Sequence, residues 1–312
     1  MALIDGLVNI RYWVAGGLLF GLAVGNFGVA GPWIIILALM VLMTISLSGL
    51  ELKREDIYDN RKNLVLAMVL CYVVSTGALL LTGLFFRDLW DGWVMIAAVP
   101  CAVSVVSSTL LMRGDVKLAL VSVTMLYLAG LAITPVLTSV LIGSAVSPLE
   151  ILKYVVLFIL VPIILSIPMK KINIPVRPRN IVINICFFIL VAIAFGTNRE
   201  FLFDRLDTAA WMAVACVVRL VVLFFAVELL LKKLGVPRMV RIVMVLIAVW
   251  RNTSLGMTLT MLLVPQPEAA LPAAILIPIE MVWLIFMMWY YDKVEPPLPD
   301  ASPAPQTEII PA

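Results

Sequence analysis

Apolar residues run along this chain in long blocks, each closed by a short polar or charged segment. A helix that crosses the hydrocarbon core of a bilayer needs roughly 20 mostly apolar residues. Blocks of that order at 11–29, 31–50, 64–86, 92–112, 118–143, 149–168, 181–198, 208–231, 239–264 and 271–291 predict ten transmembrane helices. The first block is rich in glycine and the seventh is short. Little more than Gly28 to Gly31 separates the first two, which predicts a tight helical hairpin.

Composition supports this pattern. Of 312 residues, 63% are hydrophobic and 13% charged, against roughly 45–50% and about 25% in soluble globular domains. The length alone fits one or two soluble domains, but the apolar excess makes lipid the solvent for most of the chain. The net charge of +3 carries no argument for nucleic acid. Cys71, Cys101, Cys186 and Cys216 all lie inside apolar blocks, and the chain has no histidine. A disulfide framework or a metal site is therefore not expected. Met1 to Ile10 contains Asp5 and no Lys or Arg, the wrong flank for a cleaved signal peptide.

The positions of the charges give an orientation. With ten spans, sixteen of the 22 Lys and Arg residues fall on one face, including Lys53, Arg54, Arg113, Lys170, Lys232 and Arg241. The opposite face holds three, Arg87, Arg199 and Arg205. Lys and Arg concentrate in cytoplasmic loops, so both termini are expected in the cytoplasm and the chain in the cytoplasmic (inner) membrane. Residues 1–148 and 149–291 each hold five helices, and an odd number implies two inverted repeats. Transporters built this way bind their substrates near the midplane, at the repeat interface. The tail 292–312, with six prolines, is expected to be disordered and cytoplasmic.

Charged residues inside spans are costly, about +2.5–3.5 kcal/mol at a helix centre on insertion scales. Arg219, Glu228, Arg251 and Glu280 lie in the spans of the second half. They support two readings: ion pairs such as Arg251 with Glu280, or a midplane site whose excess positive charge suits an anion. Glu228, nearer the cytoplasmic end of its span, has the option of snorkelling to the interface. Pro100 in the fourth span removes a backbone hydrogen bond, and Cys101, Ser104 and Ser108 follow on one helix face. The ninth span carries Arg251-Asn252-Thr253-Ser254 and then Gly256, its most polar stretch. Pro100 and Gly256 thus mark interruptions of the fourth and ninth helices. Pro135 and Pro278 predict kinks in the fifth and tenth.

The segment Pro100 to Asp115, PCAVSVVSSTLLMRGD, ending in Arg113-Gly114-Asp115, resembles the fourth helix of the bile acid:sodium symporter family. Thr124 to Thr138 and Ile247 to Met261 are similar to its fifth and ninth helices. The related arsenical-resistance permeases share the fold and have Pro-Cys where this chain has Pro100-Cys101. The resemblance implies an all-α secondary transporter with crossed, interrupted fourth and ninth helices. It also implies departures. Positions that supply sodium ligands in the family are Val105, Val106, Ala119, Val123, Ala248 and Asn252 here, with Ser122 and Thr124 near, and Cys71 stands for a Gln, so most of the ligand oxygens are gone. Hard cations need oxygen ligands, so the sodium sites are expected to be missing.

The expectation is a secondary transporter of a small organic anion, without a cofactor and with protons as a candidate coupling ion. Arg251, Asn252, Ser104, Ser108, Cys101, Glu280 and Arg219 are the candidate substrate-binding residues. A metalloid efflux permease is the alternative. An intramembrane enzyme is disfavoured, because the chain lacks histidine and has no Asp in a central span. A channel or receptor is the remaining competitor.

Overall fold

A computed structural model describes residues 10–47, 60–143, 147–169, 172 and 175–295. Most of the polar segment after the second apolar block lies outside the described residues. So does the Pro-rich tail beyond Glu295, on which the expectation of disorder falls.

Among the described residues the regular structure is helical, apart from one isolated β-bridge. That follows from the apolar blocks, because backbone amides in hydrocarbon must find partners within their own segment. The chain begins with α1 (Ile10–Val24) and α2 (Gly31–Leu47), joined by a tight turn. Next comes α3, which runs Arg61–Val69, passes through a π turn at Leu70–Ser75 and continues as Thr76–Gly83. Two short helices follow, α4 (Trp90–Ala98) and α5 (Val105–Leu111), and then the long α6 (Val116–Ile142). The second part opens with α7, which is Pro148–Val155, a π turn at Val156–Leu160, then Val161–Met169. Then come α8 (Val176–Thr197), α9 (Leu206–Lys233), α10 (Arg238–Val249), α11 (Thr253–Leu263) and α12 (Leu271–Lys293).

Among the described residues, six helical stretches are long and apolar enough to cross a membrane: those at 61–83, 116–142, 149–169, 177–197, 206–233 and 267–293. Only 33% to 56% of their apolar windows is buried inside the chain. The remainder is apolar surface that has no stable place in water, such as Val140 on α6, 74% exposed. Proline does not end α6 or α12, which run on through Pro135 and Pro278.

The helices sort into two packed groups. One contains α1, α2, α7 and α8; the other contains α3 to α6 and α9 to α12. In the first, α1 and α8 touch backbone to backbone: a Cβ at Gly21 would run into the Ala192 carbonyl oxygen, and one at Gly17 would sit 2.7 Å from that of Phe188. Gly17 and Gly21 are one turn apart on a single face, the small-xxx-small spacing that lets helices approach in lipid. The groups meet where α2 packs on α11, α7 on α6 and α11, and α8 on α12.

Beside Pro237, the ends of α9, α10 and α12 are fastened by ionic contacts. Glu228, fully buried, accepts from Arg241 at 3.0 Å and from the Tyr291 hydroxyl at 2.7 Å. It does not snorkel: with two donors in reach, burial leaves no acceptor unmet. Arg241 also meets Glu295 at 3.1 Å, Lys232 contacts the same carboxylate, and Arg238 donates to the Tyr291 carbonyl at 2.7 Å.

Candidate functional site

The second group is organised around two chain breaks that cross. After Ala98 the backbone becomes extended and α5 does not begin until Val105. After Val249 it becomes extended again and α11 begins at Thr253. The two extended peptides pair antiparallel. The Asn252 N–H donates to the Pro100 carbonyl at 2.9 Å and the Ala102 N–H to the Trp250 carbonyl at 3.2 Å, with Cys101 opposite Arg251. Each break thereby satisfies part of the other's freed backbone, as non-helical chain at membrane depth requires. Pro100 is at the first break, as expected. Gly256 is not at the second, which lies earlier, at Trp250–Asn252. It belongs to the body of α11, where a Cβ would come within 3.0 Å of the Ile96 Cα. Its role is close packing of α11 on α4.

The last carbonyls of a helix have no partner within it. At the end of α4 three side chains supply partners. Thr134 donates to Ala98 at 2.9 Å, Thr76 to Ala97 at 2.8 Å, and Arg251 to both Ala97 and Ile96, the latter at 3.5 Å. The rest of the guanidinium reaches α3. There the Cys71 carbonyl, which also accepts from the Thr76 N–H that closes the π turn, takes a bond from Arg251 Nη1 at 2.9 Å, and the same nitrogen donates to the Cys71 sulfur at 3.0 Å. Nη2 also donates to the Thr76 hydroxyl at 2.9 Å. The Tyr72 ring centre lies 5.9 Å from the guanidinium carbon. Arg251 is 1% exposed, and all five of its N–H donors face protein acceptors. A cation at a helix C-terminus also interacts favourably with the helix dipole.

At the other break, Asn252 caps α11: its side-chain oxygen accepts from the Leu255 N–H at 3.1 Å. Its amide donates to the Tyr127 hydroxyl at 2.6 Å and to the Met43 sulfur at 3.5 Å. Met43 belongs to α2, so this residue joins the two helix groups. Thr253, the first residue of α11, donates to a carboxylate oxygen of Glu280 at 2.8 Å. The ion-pair partner of Glu280 is Arg219, at 3.8 Å, and not Arg251, whose donors are committed elsewhere. Arg219 and Glu280 are 5% and 4% exposed.

Of the sequence-derived candidates, Cys101, Arg251 and Asn252 meet at the crossing, and Arg219 and Glu280 form a buried pair that Thr253 ties to it. Ser104 and Ser108 follow on the α5 side: Ser104 is half-buried and Ser108 buried. Cys71, Thr76, Tyr127 and Thr134 escaped sequence reasoning as partners. Cys101 lies opposite Arg251, which donates to the Cys71 sulfur, and both cysteines are fully buried. Val105, Ala119, Val123 and Ala248, where the family resemblance implies cation ligands, are buried apolar side chains.

A long, apolar all-helical chain with two broken helices crossing in its core matches one described family over residues 13–288, the SBF-like CPA transporter family. The chain belongs to this family. It is a membrane protein of a transporter family, in line with the resemblance drawn from Pro100 to Asp115. No curated protein matches it. The crossing itself carries one buried charge, Arg251, and Thr253 ties it to the Arg219–Glu280 pair.

Proposed function

We propose that this protein is a secondary transporter of a small organic anion, working without sodium at the helix crossing. Its architecture on this reading is ten spans in two inverted five-helix repeats. α4 with α5 forms the broken fourth span, and α10 with α11 the broken ninth. The termini lie in the cytoplasm and the protein in the cytoplasmic membrane, as the sixteen-to-three distribution of Lys and Arg supports.

The observation that carries this reading is the seat of Arg251. Backbone carbonyls of Cys71, Ile96 and Ala97 converge on its guanidinium, the kind of oxygen set that would otherwise attract a dehydrated metal ion. A covalently attached cation already occupies it. Arg251 therefore acts on the substrate through its field and not through its donors. Arg219 adds positive charge nearby, and Ser104, Ser108 and the Asn252 region supply hydrogen-bonding groups. Glu280 offsets one positive charge and leaves an excess suited to an anion.

A thermal-shift screen of organic acids on the purified protein, with and without sodium, tests this. Ligands stabilise in proportion to ln(1+[L]/Kd). One or more organic anions should raise the melting temperature, and sodium should do no more than potassium. Counterflow of the hit in liposomes separates a transporter from a channel. A sodium-specific shift would overturn the sodium-free part.

A second reading, metalloid efflux, is favoured by the placing of Cys71 and Cys101 on either side of Arg251 at the crossing, since thiols suit a soft, thiol-seeking centre. Stabilisation by phenylarsine oxide that is lost in Cys101→Ser, with no response to organic anions, would favour it over the first.

A further inference from the structure

The Arg219–Glu280 pair is poorly made for a purely structural ion pair. None of the three guanidinium nitrogens of Arg219 has a hydrogen-bond partner, and neither has Oε1 of Glu280, although both residues are buried. The approach of 3.8 Å is long, where charge-assisted bonds lie near 2.7–2.9 Å. A cavity of about 10 Å³ borders Glu280, with Trp250 and Trp283 in its wall. The Trp283 Nε1 is unpartnered as well. That volume is about that of one water, and two of the unpartnered groups, those of Glu280 and Trp283, belong to residues that line it. A loose ion pair compensates only part of the cost of burying two charges.

From this geometry we infer that Glu280 is a proton-binding site whose counter-charge is Arg219, and that its proton is co-transported with the anion. The inference rests on the transporter reading above. The groups acting on Glu280 are Arg219 and Cys216 from α9, and Arg251 and Thr253 from the crossing. Other helices packed on α12 are α1, α4 and α8, whose charged residues sit only near their ends: Arg11, Asp91, Arg177 and Arg179.

With Glu280 ionised, the neighbourhood of Arg219, Arg251 and Glu280 carries one net positive charge; with Glu280 protonated it carries two. Only an O–H bond is made. The proton arrives from hydronium in one aqueous phase and leaves to water in the other. A monoanion bound within this field restores the lower charge, so proton and anion favour each other's binding, and linkage makes that effect reciprocal. Glu280 is also hydrogen-bonded to Thr253 at the first turn of α11, so a change in its charge is felt directly at the crossing.

Infrared titration of the full-length protein in detergent, from about pH 5 to about pH 9, tests the site without any transported solute. The expected result is a carboxylic-acid C=O band that titrates within that range and is missing in Glu280→Gln. In Arg219→Met the band should persist with its midpoint about 1–3 pH units higher, because an opposite charge has been removed. A merely structural pair would give no titrating band. Glu280→Asp retains a carboxyl and decides the assignment through a displaced band if the Gln variant does not fold. A band that is absent, is unaffected by either Glu280 substitution, or keeps its midpoint in Arg219→Met overturns the proposal. Solute counterflow in liposomes is scored separately. Its failure removes the transporter reading and leaves the titration standing; a silent titration removes the proton site and leaves counterflow standing.

Discussion

A guanidinium whose five N–H groups all meet protein acceptors behaves as a built-in ligand. Each buried carbonyl left without a donor costs about 1–3 kcal/mol. Arg251→Ala strands the carbonyl of Ile96 and removes one donor from those of Cys71 and Ala97, which keep Thr76, so a loss of about 1–3 kcal/mol is expected by that measure. Arg251→Lys, with three donors in place of five, should fall between the two in thermal unfolding. Adding Glu280→Ala to Arg251→Ala should recover nothing, because the ion-pair partner of Glu280 is Arg219. Recovery would instead make Arg251 and Glu280 the true pair. A second expectation concerns Glu295, beyond the end of α12. A hydrogen bond from Lys232, and next the charges of Lys232 and Arg241, hold its carboxyl below the ordinary range. A lowered folded value gives stability above the unfolded value, about 4.3, that is lost as the pH falls through the folded one. The melting difference between the native protein and Glu295→Gln should be present at neutral pH and vanish in acid, well below about pH 4. A difference that persists there would show that the contact acts by packing alone. Arg251 and Glu280 stood out in the sequence because charge is rare among apolar residues. Arg219, the partner of Glu280, stood out for the same reason; the partners of Arg251 did not, since a backbone carbonyl has no signature in sequence and Thr76 looks like an ordinary small core residue.

Among the elements, the apolar blocks were read to within a few residues because hydropathy reports lipid exposure directly. Pro100 was legible as a break for an equally direct reason, its missing N–H. The second break carries no proline, and glycine was a poor guide to it: Gly256 serves contact with Ile96. The π turns at Leu70–Ser75 and Val156–Leu160 were invisible, since a one-residue widening of a helix leaves no mark on hydropathy. The first of them presents the Cys71 carbonyl to Arg251, so part of the site depends on a feature no apolar pattern reveals. Helix contacts made through glycine give a sharp test. Gly21→Val places a branched side chain against the backbone of α8, and overpacking of this kind costs about 1–3 kcal/mol. The melting temperature should drop, whereas Val24→Ala, at an exposed position one turn on, should be neutral. Equal effects at the two sites would argue against the close α1–α8 contact.

On the scale of the whole molecule, the charge asymmetry predicts which loops face which compartment. A membrane-impermeant thiol reagent applied to intact cells should miss a cysteine at Val236 and label one at Asp88 or Phe203. Labelling at Val236 would reverse the proposed orientation. The division into two packed groups has a further consequence when combined with the seat of Arg251. The group formed by α3 to α6 and α9 to α12 carries a cation that cannot dissociate. If solute is moved by displacing that group against α1, α2, α7 and α8, the fixed charge moves through the electric field with it. One elementary charge crossing the full field is worth about 2.3 kcal/mol per 100 mV. The protein should therefore show an electrical signature of its own. After a voltage step, membranes containing it should pass a brief, saturable displacement current in solutions free of sodium and of transported solute, and that current should shrink in Arg251→Gln. A carrier that borrows its cation from solution would lose such a current with its ion, whereas a covalently attached guanidinium stays.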